Sequence, residues 1–157
     1  MLIHFTEYLT YQNIYLFTNF GILPFWLLII AIPNSRITLI LVNSIVLPLI
    51  LSSLYIYIIY QAILLDENLF DIFLIYLNID NLYTIFATEN FLLAFWIHFV
   101  TLNLFLGCWV ARDAFKYSIK RKFVVLPLVL IYLSGPVGLV IYWMIRIFVA
   151  KKLGMYD

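Results

Sequence analysis

A histidine, an asparagine and an arginine lie inside apolar segments of this chain, and they are its candidates for chemistry. His98 and Asn103 lie in one segment and Arg146 in another. Polar groups in hydrocarbon are costly, so they usually have partners and often a task. Histidine can give or take a proton near neutral pH, which makes His98 the candidate acid or base. Asn103 could orient a hydroxyl group, and Arg146 could hold an acidic or hydroxylated ligand.

The same side chains also have structural interpretations, which the sequence leaves open. An amide such as Asn103 commonly joins two membrane helices. Arg112–Asp113 could be an interfacial pair, and Arg146 could extend outward to the lipid headgroups. We expect His98 to point into the bundle, toward Pro136 and away from lipid, because its imidazole needs a hydrogen-bond partner.

The composition predicts an integral membrane protein. Hydrophobic residues make up 66% of the 157 residues and charged residues 11%, whereas a soluble domain carries about 25% charge. Four apolar stretches, at about 14–32, 37–65, 91–110 and 123–150, each reach the ~18–20 residues that a helix needs to cross a bilayer. Their apolar runs are continuous, which favours helices over a barrel. The predicted fold is all-α, a four-helix bundle that forms a single membrane domain over residues 1–157.

The segment between the second and third stretches differs from the rest. Residues 66–90 contain five acidic residues and no basic residue. The apolar part of this segment, residues 69–77, is too short to span a bilayer as a helix. We therefore predict an interfacial helix between helices 2 and 3, lying on the membrane surface. A lid over a cavity is the alternative.

The distribution of basic residues predicts an orientation. Four spans place the loops at 33–36 and 111–122 on one side, with six of the nine Lys and Arg residues, and the other three end or follow the fourth span. The positive-inside rule then places loop 111–122 in the cytoplasm or its organellar equivalent, and both termini outside. The net charge of +1 indicates no nucleic-acid partner. The basic loop is expected to lie against anionic lipid headgroups.

Small residues and prolines predict where helices meet or bend. We expect Gly107, Ser134 and Gly138 at contacts between the third and fourth spans, because small side chains let helix backbones approach closely. Pro136, which follows Gly135, is expected to kink the fourth span. The single cysteine excludes an intramolecular disulfide and a cysteine-based zinc site, and no metal site is predicted.

Tryptophans lie in three of the four spans, and their spacing has two interpretations. Trp96 and Trp109 are 13 residues apart, which is about 20 Å along a helix and typical of the two interfacial belts of a membrane protein. An aromatic-lined slot for a flat hydrophobic ligand at Trp96 and Trp143 is the alternative.

Three blocks of sequence resemble a known family. The first is LPFWLL at 23–28, running to Pro33-Asn34. The second is WIHF at 96–99, running through NLFLGCW at 103–109 to Asp113. The third is GPVGL at 135–139, running to Tyr142 and Arg146. In this order and spacing the chain resembles the abscisic-acid-deficient membrane protein family, whose plant members are needed to form neoxanthin from violaxanthin.

The resemblance implies carotenoid chemistry of the isomerase type. An epoxide opens and an allene forms, which requires an acid and a base but no redox cofactor. The candidate catalytic residues are His98 and Asn103. The candidate ligand-binding residues are Trp26, Trp96, Tyr142 and Arg146.

Two positions depart from the family pattern. The family usually has aspartate where this chain has Asn103, and arginine where this chain has Cys108. Both charges are missing together, so neither is left buried without its partner. The loss also removes one acid–base candidate, which favours binding over turnover.

These observations leave functions of different classes open. One is an enzyme or binding protein for a carotenoid or another isoprenoid epoxide. Another is a non-catalytic small subunit or assembly factor of a larger membrane complex. Haem anchoring through His98 is disfavoured because the other histidine, His4, precedes the first span. The N-terminal segment, Met1 to Asn13, has no lysine or arginine and so lacks the features of a signal or transit peptide. We expect a multi-pass protein of a bacterial inner membrane or an organellar membrane.

Overall fold

Every element in the described part of the chain is a helix. The computed structural model describes residues 10–42, 46–64, 69–151 and 154, without the side chains of residues 69–72. In chain order the helices are α1 Tyr11–Ala31, α2 Arg36–Leu41, α3 Val46–Leu64, a 3-10 helix η1 Leu69–Tyr76, α4 Ile79–Phe86, α5 Glu89–Lys116, α6 Arg121–Ser134 and α7 Pro136–Ala150. The prediction of an all-α fold is confirmed.

The chain divides into two compact units. The first unit comprises residues 1–22 and 48–99, and the second comprises residues 23–47 and 100–157. The boundaries fall inside α1, α3 and α5, so each of these three helices contributes to both units.

Three helical segments in the described residues are long and apolar enough to cross a membrane. They are Tyr11–Ala31, Glu89–Lys116 and Arg36–Leu64, and they correspond to the first three predicted spans. The segment Arg36–Leu64 comprises α2 and α3 and includes residues 43–45, which lie outside the described residues. The predicted fourth span, 123–150, is instead two helices of 14 and 15 residues. Each is roughly 21–23 Å long, which is short of the ~30 Å hydrocarbon core. The structure therefore has no single helix over 123–150, and the predicted four-helix bundle is not confirmed.

A reversal of the chain at Gly135-Pro136 separates α6 from α7. Gly135 has φ +61° and ψ −83°, a backbone conformation that side-chain-bearing residues rarely adopt. The prediction that Pro136 kinks a continuous helix is wrong. Pro136 instead begins α7, where its missing N–H costs nothing. A Cβ on Gly138 would lie 2.5 Å from the carbonyl oxygen of Pro127, although the two residues would be roughly 16 Å apart along a straight helix. α6 and α7 therefore form a tight hairpin.

The hairpin changes the predicted position of the C-terminal charges. Arg146, near the end of α7, pairs with Asp113, near the end of α5, and also donates to the carbonyl of Gly154. The end of α7 thus returns to the same end of the second unit as the turn after α5. This contradicts the predicted topology, in which the end of the fourth span lies on the opposite side from loop 111–122; residues 155–157 lie outside the described residues. All nine Lys and Arg residues belong to the second unit.

The first unit is built around an apolar core and carries two short helices. Ile14 of α1, Ile58 of α3 and Ile97 of α5 are buried together in this core. The predicted interfacial segment contains η1 and the eight-residue helix α4, neither of which is a candidate span. Asn78 caps α4 by accepting a hydrogen bond from the Asn81 amide at 2.9 Å. Residues 66–68 of that segment lie outside the described residues.

We expect labelling to place both ends of the hairpin on one side of the membrane. In a Cys108→Ser background, Ser118→Cys and Lys151→Cys should react with an impermeant maleimide from the same side of sealed vesicles. Glu89→Cys, at the other end of α5, is the control and should react only from the opposite side. Labelling of positions 118 and 151 from different sides would contradict the hairpin.

Gly138→Ala should destabilise the protein, because the added Cβ would meet the backbone of α6 at Pro127 and Ile131. Overpacking of this kind costs about 1–3 kcal/mol, so the midpoint of thermal unfolding in detergent should fall. Gly21→Ala is the matched control, since the nearest atoms to its Cβ would belong to Phe17, at an ordinary 3.6 Å. An unfolding midpoint that is equal for the two variants would rule out the close packing of α6 and α7.

Candidate functional site

A buried ion pair lies at the end of α5. The Nε of Arg146 is 2.9 Å from Oδ2 of Asp113, and the Tyr142 hydroxyl donates to the same oxygen at 2.5 Å. Arg146 and Tyr142 are 0% exposed and Asp113 is 6% exposed. Each charge is therefore stabilised by the other and by hydrogen bonds rather than by water.

Helical spacing brings these groups together. Gly138, Tyr142 and Arg146 are the buried residues of α7 and are spaced four apart, so they form one stripe along the helix. Gly138 packs this stripe against α6, while Tyr142 and Arg146 extend from it to Asp113 of α5. The glycine that allows the close hairpin and the residues of the ion pair thus share one face.

Aromatic rings surround the guanidinium group. Its central carbon lies 4.6 Å from the centre of the Tyr117 ring and 4.9 Å from that of Trp143. Trp143 stacks on Trp109 with ring centres 5.6 Å apart and 10° between the planes. Cation–π contacts gain strength when the cation is desolvated, so these rings add to the stabilisation of Arg146.

Arg146 does not lie where the sequence predicted, and Asp113 is a site residue that was not predicted. Arg146 was expected to extend outward to headgroups, but its side chain is fully buried. The error follows from treating 123–150 as one span, which puts Arg146 and Asp113 on opposite sides of the membrane. A four-residue spacing of Tyr142 and Arg146, together with a lone aspartate at the end of the preceding span, is the signal that could have revealed the pair.

His98 does not lie where the sequence predicted. Its side chain is exposed, and its ring centre is 6.3 Å from that of Tyr55, within the first unit. The prediction that His98 points into the bundle is wrong, because Ile97 and Leu93 occupy the buried face of α5 at this level. The catalytic role of His98 stays a prediction.

Asn103 is buried against the turn of the hairpin. It is 6% exposed, and its Oδ1 lies 2.5 Å from where a Cβ on Gly135 would be. Its Nδ2 has no hydrogen-bond partner among the described residues. The Asn103 amide thus lies at a helix contact, and its predicted catalytic role stays untested.

The other small residues lie at close contacts of different kinds. Gly107 leaves room for Trp26, since a Cβ at position 107 would be 2.6 Å from the indole. Trp26 is buried and meets the ring of Tyr132 edge-on at 5.4 Å. The hydroxyl of Ser134 donates to the carbonyl of Leu130 within α6. Trp26 therefore packs inside the second unit.

Trp96 lines a cleft in the first unit. The cleft has a volume of about 490 Å³, and its lining includes Tyr11, Tyr15 and Glu89. The indole N–H of Trp96 donates to Oδ1 of Asn19 at 3.0 Å, and its ring centre is 5.9 Å from that of Tyr15. The cleft combines aromatic walls with one carboxylate, which suits a flat apolar ligand that carries an oxygen.

A model of the ABA DEFICIENT 4-like family matches residues 13–142, most of the chain. The chain belongs to this family. The predicted resemblance is therefore confirmed. No matching curated protein and no matching solved structure is found.

The family match covers part of the buried cluster. Asp113 and Tyr142 lie within the residues that match the ABA DEFICIENT 4-like family, and Arg146 lies four residues beyond them. His98, Asn103, Trp26 and Trp96 also lie within the match. Most candidate residues thus lie within the family match, so the match does not indicate which of them form the site. Their positions in the structure are the evidence on that point.

Removing either charge of the ion pair should destabilise the protein strongly. Asp113→Asn or Arg146→Met leaves one buried charge without its counterion, which costs about 3–5 kcal/mol. The double variant leaves no buried charge, so its loss should be smaller than the sum of the two single losses. Arg112→Met, which removes an exposed neighbouring charge, is the control and should leave stability unchanged. Strictly additive losses in thermal unfolding would show that the two residues do not interact.

Proposed function

We propose that this membrane protein binds an oxygenated carotenoid-like isoprenoid and isomerises an epoxide on it. Two facts support the proposal. The chain is a member of the ABA DEFICIENT 4-like family, and a carboxylate, a phenol and a guanidinium group meet in a buried site beside stacked tryptophans. The meeting of these three groups is the observation that carries the proposal.

The chemistry requires one proton to leave carbon and one to reach oxygen. In the proposed step, the Asp113 carboxylate removes the vinylic proton next to the epoxide, and that electron pair forms the second double bond of an allene. The C–O bond breaks, and the oxygen takes the hydroxyl proton of Tyr142 while the Arg146 cation stabilises the developing charge. Asp113 then returns its proton to Tyr142 across their hydrogen bond, so the product is an isomer of the substrate.

The tryptophan pair supports the proposal as a place for the end ring of the ligand. Trp109 and Trp143 are half-buried, whereas Tyr142 and Arg146 are fully buried. A ligand would therefore stack on the outer tryptophan face first. Rotation of Trp143 would then admit its oxygen to the polar cluster.

A non-catalytic subunit or assembly factor is the second candidate function. The exposure of His98 favours it. An imidazole on the outer face of a candidate span is costly against lipid, and a helix of a partner protein could supply its hydrogen bond. The ion pair also suits a purely structural role, because Asp113 and Arg146 are buried and paired with each other.

Conversion of violaxanthin by the purified protein in lipid nanodiscs tests the proposal. Chromatography should detect an allenic isomer with the native protein. Tyr142→Phe keeps the ion pair but removes the proton donor, so the rate should fall by about 10²–10⁴-fold. Tyr132→Phe is the matched control and should retain activity.

The same assay separates the competing roles. Loss of activity with His98→Ala but not with Tyr142→Phe would contradict the Asp113–Tyr142 mechanism and support the role predicted for His98. The variant Asn103→Asp with Cys108→Arg restores the two family charges. If neither this variant nor the native protein binds or converts a xanthophyll, and the native protein co-purifies with a membrane complex, the second candidate function is correct.

A further inference from the structure

A cavity of about 400 Å³ lies in the second unit where α1 and α5 end and α6 begins. Its walls are mostly apolar and include Ile29, Ala111 and Leu128. Its polar lining comes from outside the helix interiors: the Asn34-Ser35 turn after α1 and Arg121, the first residue of α6. Its volume is within the ~300–1,000 Å³ range of small-molecule pockets.

Arg121 is fixed beside this cavity. Its Nε donates to the carbonyl oxygen of Ile30 at 3.0 Å, one of the last-turn carbonyls of α1 that lack a helical partner. The Arg121 side chain is exposed, so its charge also faces the surroundings. The bond to Ile30 therefore orients a cation at a point where apolar walls meet the end of a candidate span.

The surroundings of Arg121 are strongly basic. Arg112, Lys120 and Lys122 are exposed nearby in the chain. The only acidic residue between positions 112 and 122 is Asp113, which is buried and pairs with Arg146. Among the described residues, the exposed charge at this end of the second unit is thus positive.

We propose that this cavity binds an anionic phospholipid, with one acyl chain between the apolar walls and the phosphate at Arg121. The ends of candidate spans α1 and α5 mark the depth at which lipid phosphates meet acyl chains, so an apolar cavity with a basic edge at this depth matches both parts of such a lipid. Positive charge at this edge favours an anionic over a zwitterionic headgroup. The proposal is independent of the isomerase proposal.

Lipid-dependent thermal stability and native mass spectrometry of the detergent-purified protein test this site. Phosphatidylglycerol should raise the unfolding midpoint and remain bound as one copy, whereas phosphatidylcholine with the same acyl chains should do neither. Arg121→Gln should weaken phosphatidylglycerol binding by about 10-fold or more, as expected for loss of a charge-assisted hydrogen bond. Lys122→Gln is the matched control: it removes the same charge one residue away, from a side chain that does not line the cavity, and should retain most of the affinity.

A cavity-filling variant tests the acyl chain separately. Val125 is half-buried in the cavity wall, and Val125→Trp should abolish phosphatidylglycerol binding while the lipid-free unfolding midpoint stays near that of the native protein. If Val125→Trp fails to fold, the comparison of Arg121→Gln with Lys122→Gln still shows whether phosphatidylglycerol binds at Arg121.

Four outcomes would overturn the proposal. Equal losses in Arg121→Gln and Lys122→Gln would indicate general surface attraction. Equal stabilisation by glycerol 3-phosphate would indicate a site for a soluble anion. Equal binding of both phospholipids would exclude recognition of the charge, and displacement of phosphatidylglycerol by a xanthophyll would make the cavity an isoprenoid site.

Discussion

The burial of Asp113 and Arg146 constrains the second unit more than any other interaction. A carboxylate and a guanidinium group without water need each other, because either one alone would be strongly destabilising. Asp113 is near the end of α5 and Arg146 is near the end of α7, so the chain between them has to reverse. The turn at Gly135, the contact of Gly138 with α6 and the aromatic shell around Arg146 are all arrangements that permit this pairing.

Much of the helical content follows directly from the sequence. The apolar runs at the first three spans are long and uninterrupted, and the structure has helices there because lipid leaves a backbone no other way to satisfy its hydrogen bonds. The acidic segment 66–90 contains no candidate span, because its apolar part, residues 69–77, is too short to cross a bilayer as a helix. In these regions local composition determines whether a segment forms a helix long enough to span a membrane.

The hairpin and the site could not be predicted in the same way. A Gly-Pro pair is compatible with either a kink or a reversal, and the choice depends on contacts far away in sequence, such as that between Arg146 and Asp113. Once the fourth stretch is taken as one span, Arg146 has no visible partner. The prediction that His98 points into the bundle is wrong for a different reason. An apolar helix carries no strong sequence signal of which face is buried, so the pattern does not show that Ile97 is buried and His98 exposed.

The hairpin also bears on how the chain enters a membrane. α6 begins and α7 ends at the same end of the second unit, so the turn at Gly135 is the part of the hairpin farthest from the Asp113–Arg146 pair. No lysine or arginine precedes Arg36 or lies between residues 37 and 111. Insertion of the segment between Arg36 and Arg112 therefore moves no lysine or arginine across the bilayer, and the carboxylates of this segment are its only ionisable side chains apart from His98, Cys108 and its tyrosines.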